Sequence, residues 1–469
     1  MTCSDIILQE RHRNEIQKLI ANDSGVEGAA YVLFGCSDIA RDPLIGEPRS
    51  RYTSFAVFPI PVEDQVSASE RHITWNTRSF VKLCKRAKDE GLIPGIVHSH
   101  PGGFDSFSKQ DDENEMDLLN LLRNRNGGGA RLVSMIQVGE ALYRGRVWVN
   151  CMKPPTCQRV SVIGRSINIY ASDHISVDPV FNRQALAFGD EVNNRLRQLT
   201  VGVVGCGGTG SAVIQLLNRL GVGRIVAIDD DEVEASNLNR LHGATMQDAD
   251  KKTAKVHVVR DEVVRTGLGV NIHAIKGWVD SAEARDGLRS CDVIFGCTDD
   301  HAGRIYMNRL SHFYLIPVID VGLAIMPRTD GKPGLLEMAA RTTVLFPGAP
   351  CVICRGIADP IRARDEDLQR GDPEEFERQK TEAYVVGAGN PAPAVVTFTT
   401  EAATMAVNEL LQGLVDYRGE GKWAWNRYRR LSTSEERRQG ATSREDCSIC
   451  GDQENWGRGD VIPFLDRVG

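Results

Sequence analysis

The stretch "VGVVGCGGTGSAV" at residues 201–213 runs from four residues rich in valine through a glycine-rich loop into a helix-forming segment. A short β-strand followed at once by glycines and a helix directs backbone N–H groups toward the place where a phosphate would lie. The stretch therefore predicts the first strand, loop and helix of a doubly wound α/β domain. By itself it does not choose between a nicotinamide dinucleotide and a nucleoside triphosphate, because both bind such loops.

The chain downstream of this loop alternates between strand and helix patterns. Apolar runs predict strands at 224–230, 292–297 and 316–322, and an amphipathic pattern predicts a helix at 255–264. This rhythm is typical of a mostly parallel sheet with helices on both faces. Residues 359–383 are highly charged, which predicts an exposed excursion, and residues 399–415 are apolar, which predicts a helix that returns to the core.

The N-terminal third has a different pattern and predicts a separate unit of mixed α+β type. Its short alternating segments predict strands at 29–35, 53–62, 131–139 and 144–150. Between them, residues 77–91 predict a helix, because apolar side chains recur there with helical spacing. The side chains of that apolar face are Phe80, Leu83, Cys84 and Ala87.

These patterns also suggest domain boundaries. The stretch "KPPTC" at 153–157 interrupts the strand pattern, and we take the residues around it as the start of a linker. The sequence therefore predicts an N-terminal α+β domain over residues 1–152, a linker over 153–178 and a doubly wound α/β domain over 179–469. A chain of 469 residues is long enough for two such domains.

Composition restricts the partners and the compartment. Charged residues make up 25% of the chain and hydrophobic residues 41%, and the formal net charge is −7. A chain without a broad basic excess is not expected to bind nucleic acid. No apolar run has the length of a membrane span or a signal peptide, so we expect a cytoplasmic protein. Its twelve cysteines should then be reduced, and pairs among them indicate metal ligands before disulfides.

Residues 97–111, "VHSHPGGFDSFSKQD", hold a candidate metal site. On a strand His98 and His100 project from the same face, and Asp111 follows in the first turn of a predicted helix. Two imidazoles and one carboxylate leave the fourth position of a tetrahedral zinc ion open, as in catalytic zinc sites. A structural alternative is that Ser108 and Asp111 form a capping box at the start of the helix, and both interpretations can hold together.

The complete spacing of this stretch, H-x-H-P-x6-S-x2-D, resembles the JAMM (MPN+) metalloprotease signature of deubiquitinating isopeptidases and bacterial JAB-domain peptidases. Residues 25–35, "GVEGAAYVLFG", resemble the segment that carries the catalytic glutamate of that family. The resemblance implies catalytic zinc on His98, His100 and Asp111, proton transfer from the zinc-bound water to Glu27, and an oxyanion hydrogen bond from Ser108. Glu47 and Glu63 are alternative candidates for the base.

The α/β domain offers a second candidate site around the glycine loop. Asp229 lies about twenty residues after the loop, where a carboxylate suits a ribose hydroxyl. Arg240 and Lys255 follow, and cations at these places suit a triphosphate better than a nicotinamide. Asp299 comes after a later strand, where a carboxylate can hold magnesium. These residues favour ATP over a dehydrogenase cofactor.

This succession resembles the ThiF/MoeB/HesA-type, ubiquitin-activating-like adenylation domain over about residues 179–430. The resemblance implies a set of roles: Gly205, Gly207, Gly208 and Gly210 line the ATP phosphates, Asp229 binds ribose, Asn237, Arg240 and Lys255 handle phosphates, and Asp299 holds Mg²⁺. Residues 181–198 resemble the opening segment of the family, whose arginine reaches the ATP site of the neighbouring subunit. That arginine corresponds to Arg183, which implies a catalytic arginine shared across a homodimer.

Two CxxC pairs predict a structural zinc site. Cys351 and Cys354 form the first pair, and Cys447 and Cys450 form the second. Four thiolates close a tetrahedral zinc with no open position, and the same family often carries this zinc knuckle. Four buried free cysteines are the alternative. A zinc ion would tie the C-terminal residues back to the adenylation domain.

The two resemblances together imply a bifunctional enzyme. Its adenylation half would activate the C-terminal glycine of a ubiquitin-like protein with ATP and Mg²⁺, and its zinc peptidase half would trim that protein or remove it from conjugates, with a conjugating-type protein as a second partner. One alternative is the same pair of activities serving a sulfur-carrier protein in cofactor or cysteine biosynthesis, and another is a non-catalytic scaffold. Residues 355–446 contain no cysteine, so the usual thioester nucleophile of activating enzymes is missing.

Overall fold

The two predicted patterns fold into two large sheets. The computed structural model describes residues 3–21, 25–69, 73–139, 142–150, 152–171, 178–328, 335–381 and 393–460. Among these residues, one eight-stranded sheet is built from residues 3–171 and another from residues 200–438. None of the described helices is both long and apolar enough to cross a membrane.

The first sheet mixes parallel and antiparallel strands. Its part of the chain contains β1 Cys3–Gln9, α1 Glu10–Ile20, β2 Ala29–Ile39, β3 Arg49–Pro59, β4 Gln65–Ala68, β5 Ile73–Trp75, α2 Arg78–Glu90, β6 Ile93–His100, α3 Lys109–Asn126, β7 Leu132–Val138, β8 Leu142–Trp148, β9 Arg159–Ile163 and β10 Ile167–Ala171. The strand order is β10-β9-β1-β3-β2-β6-β7-β8, and β4 and β5 form a separate hairpin. The predicted α+β class is therefore confirmed.

Helices α1, α2 and α3 cover this sheet because each has an apolar face. The buried residues of α2 are Phe80, Leu83, Cys84 and Ala87, as the sequence pattern predicted. They pack with Leu118, Leu119 and Leu122 of α3 in one apolar cluster. This packing fixes the start of α3 near the end of β6, where the predicted zinc ligands lie.

The residues predicted as a linker, 153–178, contain two strands instead. β9 pairs in parallel with β1, with Asp5 opposite Arg159, and β10 pairs antiparallel with β9. The prolines near residue 154 end one strand without ending the domain, because backbone groups of β1 remain available at the edge of the sheet. The predicted linker therefore holds two strands of the first sheet, and the boundary at residue 152 stays a prediction.

The second sheet is parallel where it carries the glycine loop and antiparallel beyond. Its part of the chain contains α4 Asn182–Phe188, α5 Glu191–Gln198, β11 Thr200–Val204, α6 Gly208–Leu220, β12 Arg224–Asp229, α7 Met246–Asp250, α8 Lys255–Thr266, β13 Asn271–Lys276, α9 Ala282–Arg289, β14 Val293–Gly296, α10 His301–Phe313, β15 Val318–Pro327, β16 Leu335–Leu345, α11 Pro360–Gly371, α12 Pro373–Thr381, α13 Val396–Val415, β17 Asn426–Arg430 and β18 Glu435–Arg438. The order is β13-β12-β11-β14-β15-β16-β17-β18.

Strands β11 to β15 are parallel to one another, and β16, β17 and β18 continue the sheet antiparallel. The chain therefore crosses over between β11 and β14, which lie side by side. In such sheets ligands bind outside the carboxyl ends of the strands where the order reverses. The doubly wound class is confirmed, and its topology places the expected site at the β11–α6 loop. The apolar helix predicted at 399–415 is α13, which packs against α6.

Buried charges join the two sheets. Arg159 of β9 forms ion pairs with Asp292, at 2.7 Å, and with Asp5, at 3.4 Å. The Arg51 guanidinium donates to the backbone carbonyl of Cys291 at 2.5 Å. Burial alone would raise the pKa of Asp292, but the charges of Arg159 and Arg51 outweigh it and lower the pKa. The carboxylate therefore stays ionised, so the pairing is present at neutral pH.

The last described residues run between the two sheets. The Asp460 carboxylate accepts hydrogen bonds from the Tyr314 hydroxyl at 2.7 Å, from Arg289 at 2.8 Å and from the backbone N–H of Asp38 at 2.8 Å. Gly459 has a positive φ of 64°, and a Cβ there would lie 2.3 Å from the Cys36 carbonyl oxygen. Only glycine allows so close an approach. The C-terminal part of the α/β half is thus fixed to the N-terminal half.

Candidate active sites

The predicted zinc ligands of the N-terminal half lie together at the end of β6. The Nε2 atoms of His98 and His100 are 3.1 Å apart. Asp111 places one carboxylate oxygen 3.2 Å from His98 Nε2 and the other 3.6 Å from His100 Nε2. A tetrahedral zinc ion with ligands at about 2.0–2.2 Å needs ligand atoms roughly 3.3–3.6 Å apart. The three side chains therefore fit such an ion. We refer to them as the histidine cluster.

The environment of His100 prepares its Nε2 for a metal. Its Nδ1 lies 2.9 Å from the carbonyl oxygen of Phe104, so the proton belongs on Nδ1. A second partner of this kind fixes both the tautomer and the orientation of a metal-binding imidazole. Burial lowers the pKa of His100, but hydrogen bonds to Asp111 and Phe104 and the charges of Asp111 and Glu27 outweigh it and raise the pKa. These carboxylates make the cluster attractive to a cation.

The capping box predicted at the start of α3 is present as well. The Ser108 hydroxyl accepts from the backbone N–H of Asp111 at 3.1 Å, and the Asp111 carboxylate accepts from the N–H of Ser108 at 2.7 Å. The two interpretations of this stretch therefore hold together. The cap orients Asp111 toward the histidines, and Ser108 itself is exposed next to the cluster.

Two residues that sequence reasoning missed anchor α3. The Glu115 carboxylate is buried and accepts from Arg146 Nε at 2.8 Å and from the Ser134 hydroxyl at 2.6 Å. Arg146 also pairs with Asp112 at 2.6 Å and lies 3.9 Å from the ring centroid of Phe107. These contacts fix the first turn of α3 and the loop before it. A lone glutamate on a helix gives no sign of such a role, because its partners lie 19 and 31 residues away.

Glu27 lies next to the histidine cluster, while the alternative bases do not share its position. Glu27 is buried, lies two residues before the start of β2, and its charge acts on His100. Its backbone N–H donates to the carbonyl of Ser69 at 2.8 Å. Glu47 and Glu63 are both exposed. The geometry therefore favours Glu27 among the three glutamates.

A cleft of about 1140 Å³ opens beside the β11–α6 loop, and we call it the glycine-loop cleft. Eight of the predicted nucleotide residues line it: Gly205, Gly207, Gly208, Asp229, Asn237, Arg240, Lys255 and Asp299. These residues come from five separate segments of the chain, and the carboxyl ends of the parallel strands bring them together. The cleft is large enough for a nucleoside triphosphate.

The glycines of the loop have different structural roles. Gly205 has a φ of 89°, and a Cβ there would lie 2.9 Å from the backbone of Cys297. Gly210 does not line the cleft, contrary to the prediction. A Cβ at Gly210 would lie 1.7 Å from the Gly205 carbonyl oxygen, so this glycine lets α6 pack against the loop. The spacing of a glycine motif does not distinguish ligand contact from packing.

Asp229 is held at the end of β12 by the loop itself. Its carboxylate accepts from the backbone N–H of Cys206 at 2.6 Å and from that of Asp231 at 2.9 Å. Burial raises the pKa of Asp229, against the opposing effects of Lys255 and these hydrogen bonds. Two fixed hydrogen bonds leave lone pairs that can accept from ribose hydroxyls, and the ribose role of Asp229 stays a prediction.

The two predicted phosphate cations, Arg240 and Lys255, both line the cleft. Lys255 pairs with Asp231 at 2.6 Å. Arg240 donates to the carbonyl of Ser236 at 2.7 Å, and its methylene groups lie against Gly208. Asn237 caps a short 3-10 turn through the N–H of Glu234 at 3.1 Å. Both cations are therefore within the cleft but are engaged in local contacts that a phosphate would have to replace.

Asp299 has a neighbouring arginine that sequence reasoning missed. Arg304 of α10 lines the cleft, donates to the Asp299 carbonyl at 3.0 Å and pairs with the buried Asp320 at 3.1 Å. Asp320 also pairs with Arg341 at 2.6 Å. Two guanidinium groups therefore share the Asp320 carboxylate close to the expected magnesium residue.

Arg183 does not line the glycine-loop cleft of its own chain. It lies on α4 and is exposed, as is Leu186 of the same helix, with 89% of its surface accessible. The expectation that it reaches a neighbouring subunit remains a prediction.

The four predicted knuckle cysteines form one cluster, the cysteine cluster. Cys351 Sγ and Cys447 Sγ are 3.7 Å apart, and Cys354 Sγ and Cys450 Sγ are 3.5 Å apart. Tetrahedral zinc with Zn–S bonds of about 2.3 Å needs sulfur atoms roughly 3.8 Å apart, so the four thiols fit the ion. The two pairs are far apart in the sequence, and the metal would close the long loop between them.

Replacing Cys447 with serine is expected to remove the structural zinc and destabilise the α/β half. A fall in Tm of roughly 10 °C is expected, because losses on the order of 3 kcal/mol shift Tm by about 2–4 °C per kcal/mol in a domain of this size. Zinc analysis of the purified chain and a thermal melt provide the measurement. Cys3→Ser is the matched control, since Cys3 lies in the first sheet. Unchanged zinc content in the Cys447→Ser chain would show that the cluster does not bind the metal.

The fold and these sites define a two-part protein, with the histidine cluster in one half and a nucleotide-sized cleft in the other. The chain belongs to the ThiF family, which matches residues 181–449. Residues 9–151 match the prokaryotic homologs of the JAB domain. The protein is therefore a JAB-type domain fused to a ThiF-type adenylation domain, as the sequence resemblance indicated.

Relatives share the second half of the chain. The SAMP-activating enzyme E1 of Haloferax volcanii is 30% identical over 183 residues, which are 39% of this chain and 60% of that protein. The molybdopterin-synthase adenylyltransferase of Escherichia coli is 32% identical over 156 residues, 32% of this chain and 60% of that protein. The chain thus spans about 60% of the length of each. The crystal structure of E. coli MccB with ATP matches 58% of this chain and 75% of that chain, at 17% identity and a TM-score of 0.43.

Proposed function

We propose that the chain is an adenylating enzyme that uses ATP and Mg²⁺ to activate the C-terminal carboxylate of a ubiquitin-like protein. The observation that carries this proposal is the glycine-loop cleft, which eight of the nine predicted nucleotide residues line. Membership of the ThiF family and the activating or adenylylating relatives support the same reaction class. We call the activated protein the carrier.

The arrangement of charges in the cleft suits this chemistry. An oxygen of the carrier's terminal carboxylate would attack the α-phosphorus of ATP, forming an acyl-adenylate and releasing pyrophosphate. Backbone N–H groups at the start of α6, with Arg240 and Lys255, would stabilise the charge that develops on the phosphates. Asp299 would hold the magnesium ion, and Asp229 would fix the ribose. Arg304, which lines the cleft beside Asp299, would attract the carboxylate before the attack.

Carrier-dependent exchange of labelled pyrophosphate into ATP tests this reaction. The probe carrier is a small ubiquitin-like protein that ends in glycine. Exchange that requires both the carrier and its terminal glycine supports the proposal. A chain that binds ATP and the carrier but never exchanges pyrophosphate would instead fit a scaffold.

For the N-terminal half we propose a zinc peptidase that cleaves after the carrier's terminal glycine. The histidine cluster, with Glu27 beside it, carries this proposal. Zinc in that place supplies a Lewis acid that makes a water molecule nucleophilic at neutral pH. Glu27 would accept the proton of the attacking water and pass it to the leaving amine, and Ser108 would donate to the oxyanion.

The choice between a ubiquitin-like modifier and a sulfur carrier depends on how the acyl group leaves the adenylate. Relatives named for each of these two systems match this chain. Direct transfer of the acyl group to a partner suits the missing cysteine better than formation of a thioester on the chain. We therefore favour the modifier, with a conjugating-type partner as acceptor, and we propose that two chains form the active homodimer.

We expect no thioester between the carrier and this chain. An acyl-adenylate is already a reactive mixed anhydride, so a partner can attack it directly. The described thiols near the cleft are poor nucleophiles: burial raises the pKa of Cys206 and of Cys297, and the nearby Asp229 raises that of Cys206 further. Because the thiolate is the attacking species, both should stay inert. Incubation with carrier and MgATP should release pyrophosphate without a covalent adduct on denaturing gels.

Reductant and base distinguish the possible outcomes of that incubation. A shifted band that reductant removes, and that one Cys→Ala substitution abolishes, would contradict the prediction. A band that resists reductant but yields to hydroxylamine would indicate an ester on a serine or threonine. Both outcomes would still be consistent with adenylation as the first step.

A further inference from the structure

A tryptophan lies at the end of the glycine-loop cleft where a nucleobase is expected. The cleft crosses the carboxyl ends of three neighbouring strands: β11 carries the phosphate loop, β12 ends at Asp229, and β13 is followed by Gly277 and Trp278. The backbone N–H of Gly277 donates to the carbonyl of Asp229 at 3.2 Å, so the ends of β12 and β13 are adjacent. A nucleotide that follows this order would have its phosphates at the loop after β11, its ribose at Asp229 and its base beside Trp278.

Trp278 is partly buried and lines the cleft. It packs against the apolar cluster that includes Val279, Ala284 and Leu288. Of the described residues that line the cleft, Trp278 alone has an aromatic side chain. Purine bases stack on indole rings, and this is a common way of binding a base without reading its edge.

An arginine lies over the ring of Trp278. The Arg370 guanidinium carbon lies 3.5 Å from the centroid of the indole, and Arg370 lines the same cleft. Arg370 belongs to α11, part of the charged segment 359–383 that the sequence suggested was an exposed excursion. Most residues of α11 are exposed, as expected, but Arg370 in its last turn lines the cleft.

Helix α11 is anchored to α10, whereas the side chain of Arg370 at its end is partly exposed. The Glu366 carboxylate of α11 accepts from the backbone N–H groups of His301 and Ala302 at 2.7 and 2.8 Å, which caps α10. Arg370 lies in the last turn, pairs with Asp367 at 3.0 Å and keeps 32% of its side-chain surface exposed. It can therefore turn away from the indole without moving the helix, and Asp367 remains as its partner.

We propose that Trp278 is the stacking platform for the base of the nucleotide and that Arg370 covers this platform until the nucleotide displaces it. The inference rests on the proposed ATP-dependent function and names the residues that select and admit the base. Base stacking on an aromatic ring is stronger than a partly exposed cation–π contact, so the exchange favours the nucleotide. The cover lowers the apparent affinity, because part of the binding free energy is used to displace Arg370.

The test uses the full chain and 2-aminopurine ribonucleoside triphosphate with Mg²⁺. This probe is an adenine isomer whose fluorescence falls when its base stacks. Trp278→Ala should weaken binding about tenfold and remove most of the quenching, and Trp278→Phe should restore much of both. Arg370→Ala should tighten binding about two- to fivefold, because the competing contact is gone. Arg364→Ala, an exposed arginine of the same helix outside the cleft, should change neither.

Several results would overturn the inference. Unchanged affinity and quenching in Trp278→Ala would exclude the platform. Weaker binding in Arg370→Ala would show that Arg370 holds the nucleotide and does not cover the site. A thermal melt of each variant separates loss of folding from loss of stacking, and Trp278→Phe and Arg370→Ala test the inference even where Trp278→Ala fails to fold. Absence of any nucleotide binding by the unaltered chain would remove the proposed function together with the inference.

Discussion

Replacing Glu27 with glutamine is expected to abolish peptidase activity while the chain keeps its catalytic zinc. The carboxamide preserves the shape of the side chain but cannot accept a proton, and the three proposed ligands are untouched. General acid–base catalysis contributes roughly 10²–10⁴-fold to such reactions, so cleavage should fall by at least about 100-fold. The measurements are the rate of cleavage of a carrier extended beyond its terminal glycine and the zinc content of the same preparation.

Two further variants test whether the loss of peptidase activity is specific to Glu27. His100→Ala should lose both cleavage and the catalytic zinc, because it removes a ligand. Glu63→Gln changes an exposed glutamate outside the histidine cluster and should leave both unchanged. Full activity in Glu27→Gln would mean that another group takes the proton. Loss of zinc in Glu27→Gln would mean that Glu27 is itself needed to hold the metal.

The sites that short sequence motifs describe could be predicted, because their geometry is local. His98 and His100 are two residues apart on one strand, and a capping box of four residues, from Ser108 to Asp111, orients Asp111 toward them. The glycine loop similarly includes both the strand end and the helix start. In these places the period of the backbone alone brings the side chains together.

Features that depend on distant parts of the chain could not be predicted in this way. β9 and β10 join the first sheet through β1, which lies at the start of the chain, so the break at 153–157 suggested a linker. Arg370 contacts Trp278 from a distant part of the sequence, and a run of charges gives no sign of that partner. Gly210 fits the glycine motif but serves packing, which depends on how closely α6 approaches Gly205.

The cysteine cluster lies between these two cases. Each CxxC pair is a local motif and was recognisable from its spacing. That the two pairs meet could only be inferred by analogy, since a long segment separates them, and the described thiols do meet. The absence of a cysteine from 355–446 is a fact of the sequence, whereas the burial that disfavours Cys206 and Cys297 as nucleophiles required the fold.

Mixing two inactive variants of the adenylation half is expected to restore activity. Asp299→Ala should abolish pyrophosphate exchange, because the cleft loses its proposed magnesium ligand. Arg183→Ala should abolish it as well, although Arg183 is exposed on α4 and lies outside the cleft of its own chain. If Arg183 acts on the neighbouring subunit, the two defects fall in different active sites. A mixed dimer then has one site with both residues intact and one with neither.

The size of the expected rescue depends on random pairing of subunits. In an equal mixture half of the dimers are mixed, and each has one working site of two, so exchange should reach about a quarter of the unaltered rate. Asp261→Ala, an exposed carboxylate on α8, serves as the control and should keep full exchange alone. Differently tagged chains show whether mixed dimers form. If mixed dimers form and pyrophosphate exchange stays absent, Arg183 acts within its own chain or has no catalytic role. The exposure of α4 would then need another explanation. Rescue near a quarter would instead place a residue of each subunit in the site of the other, which makes the dimer the smallest active unit.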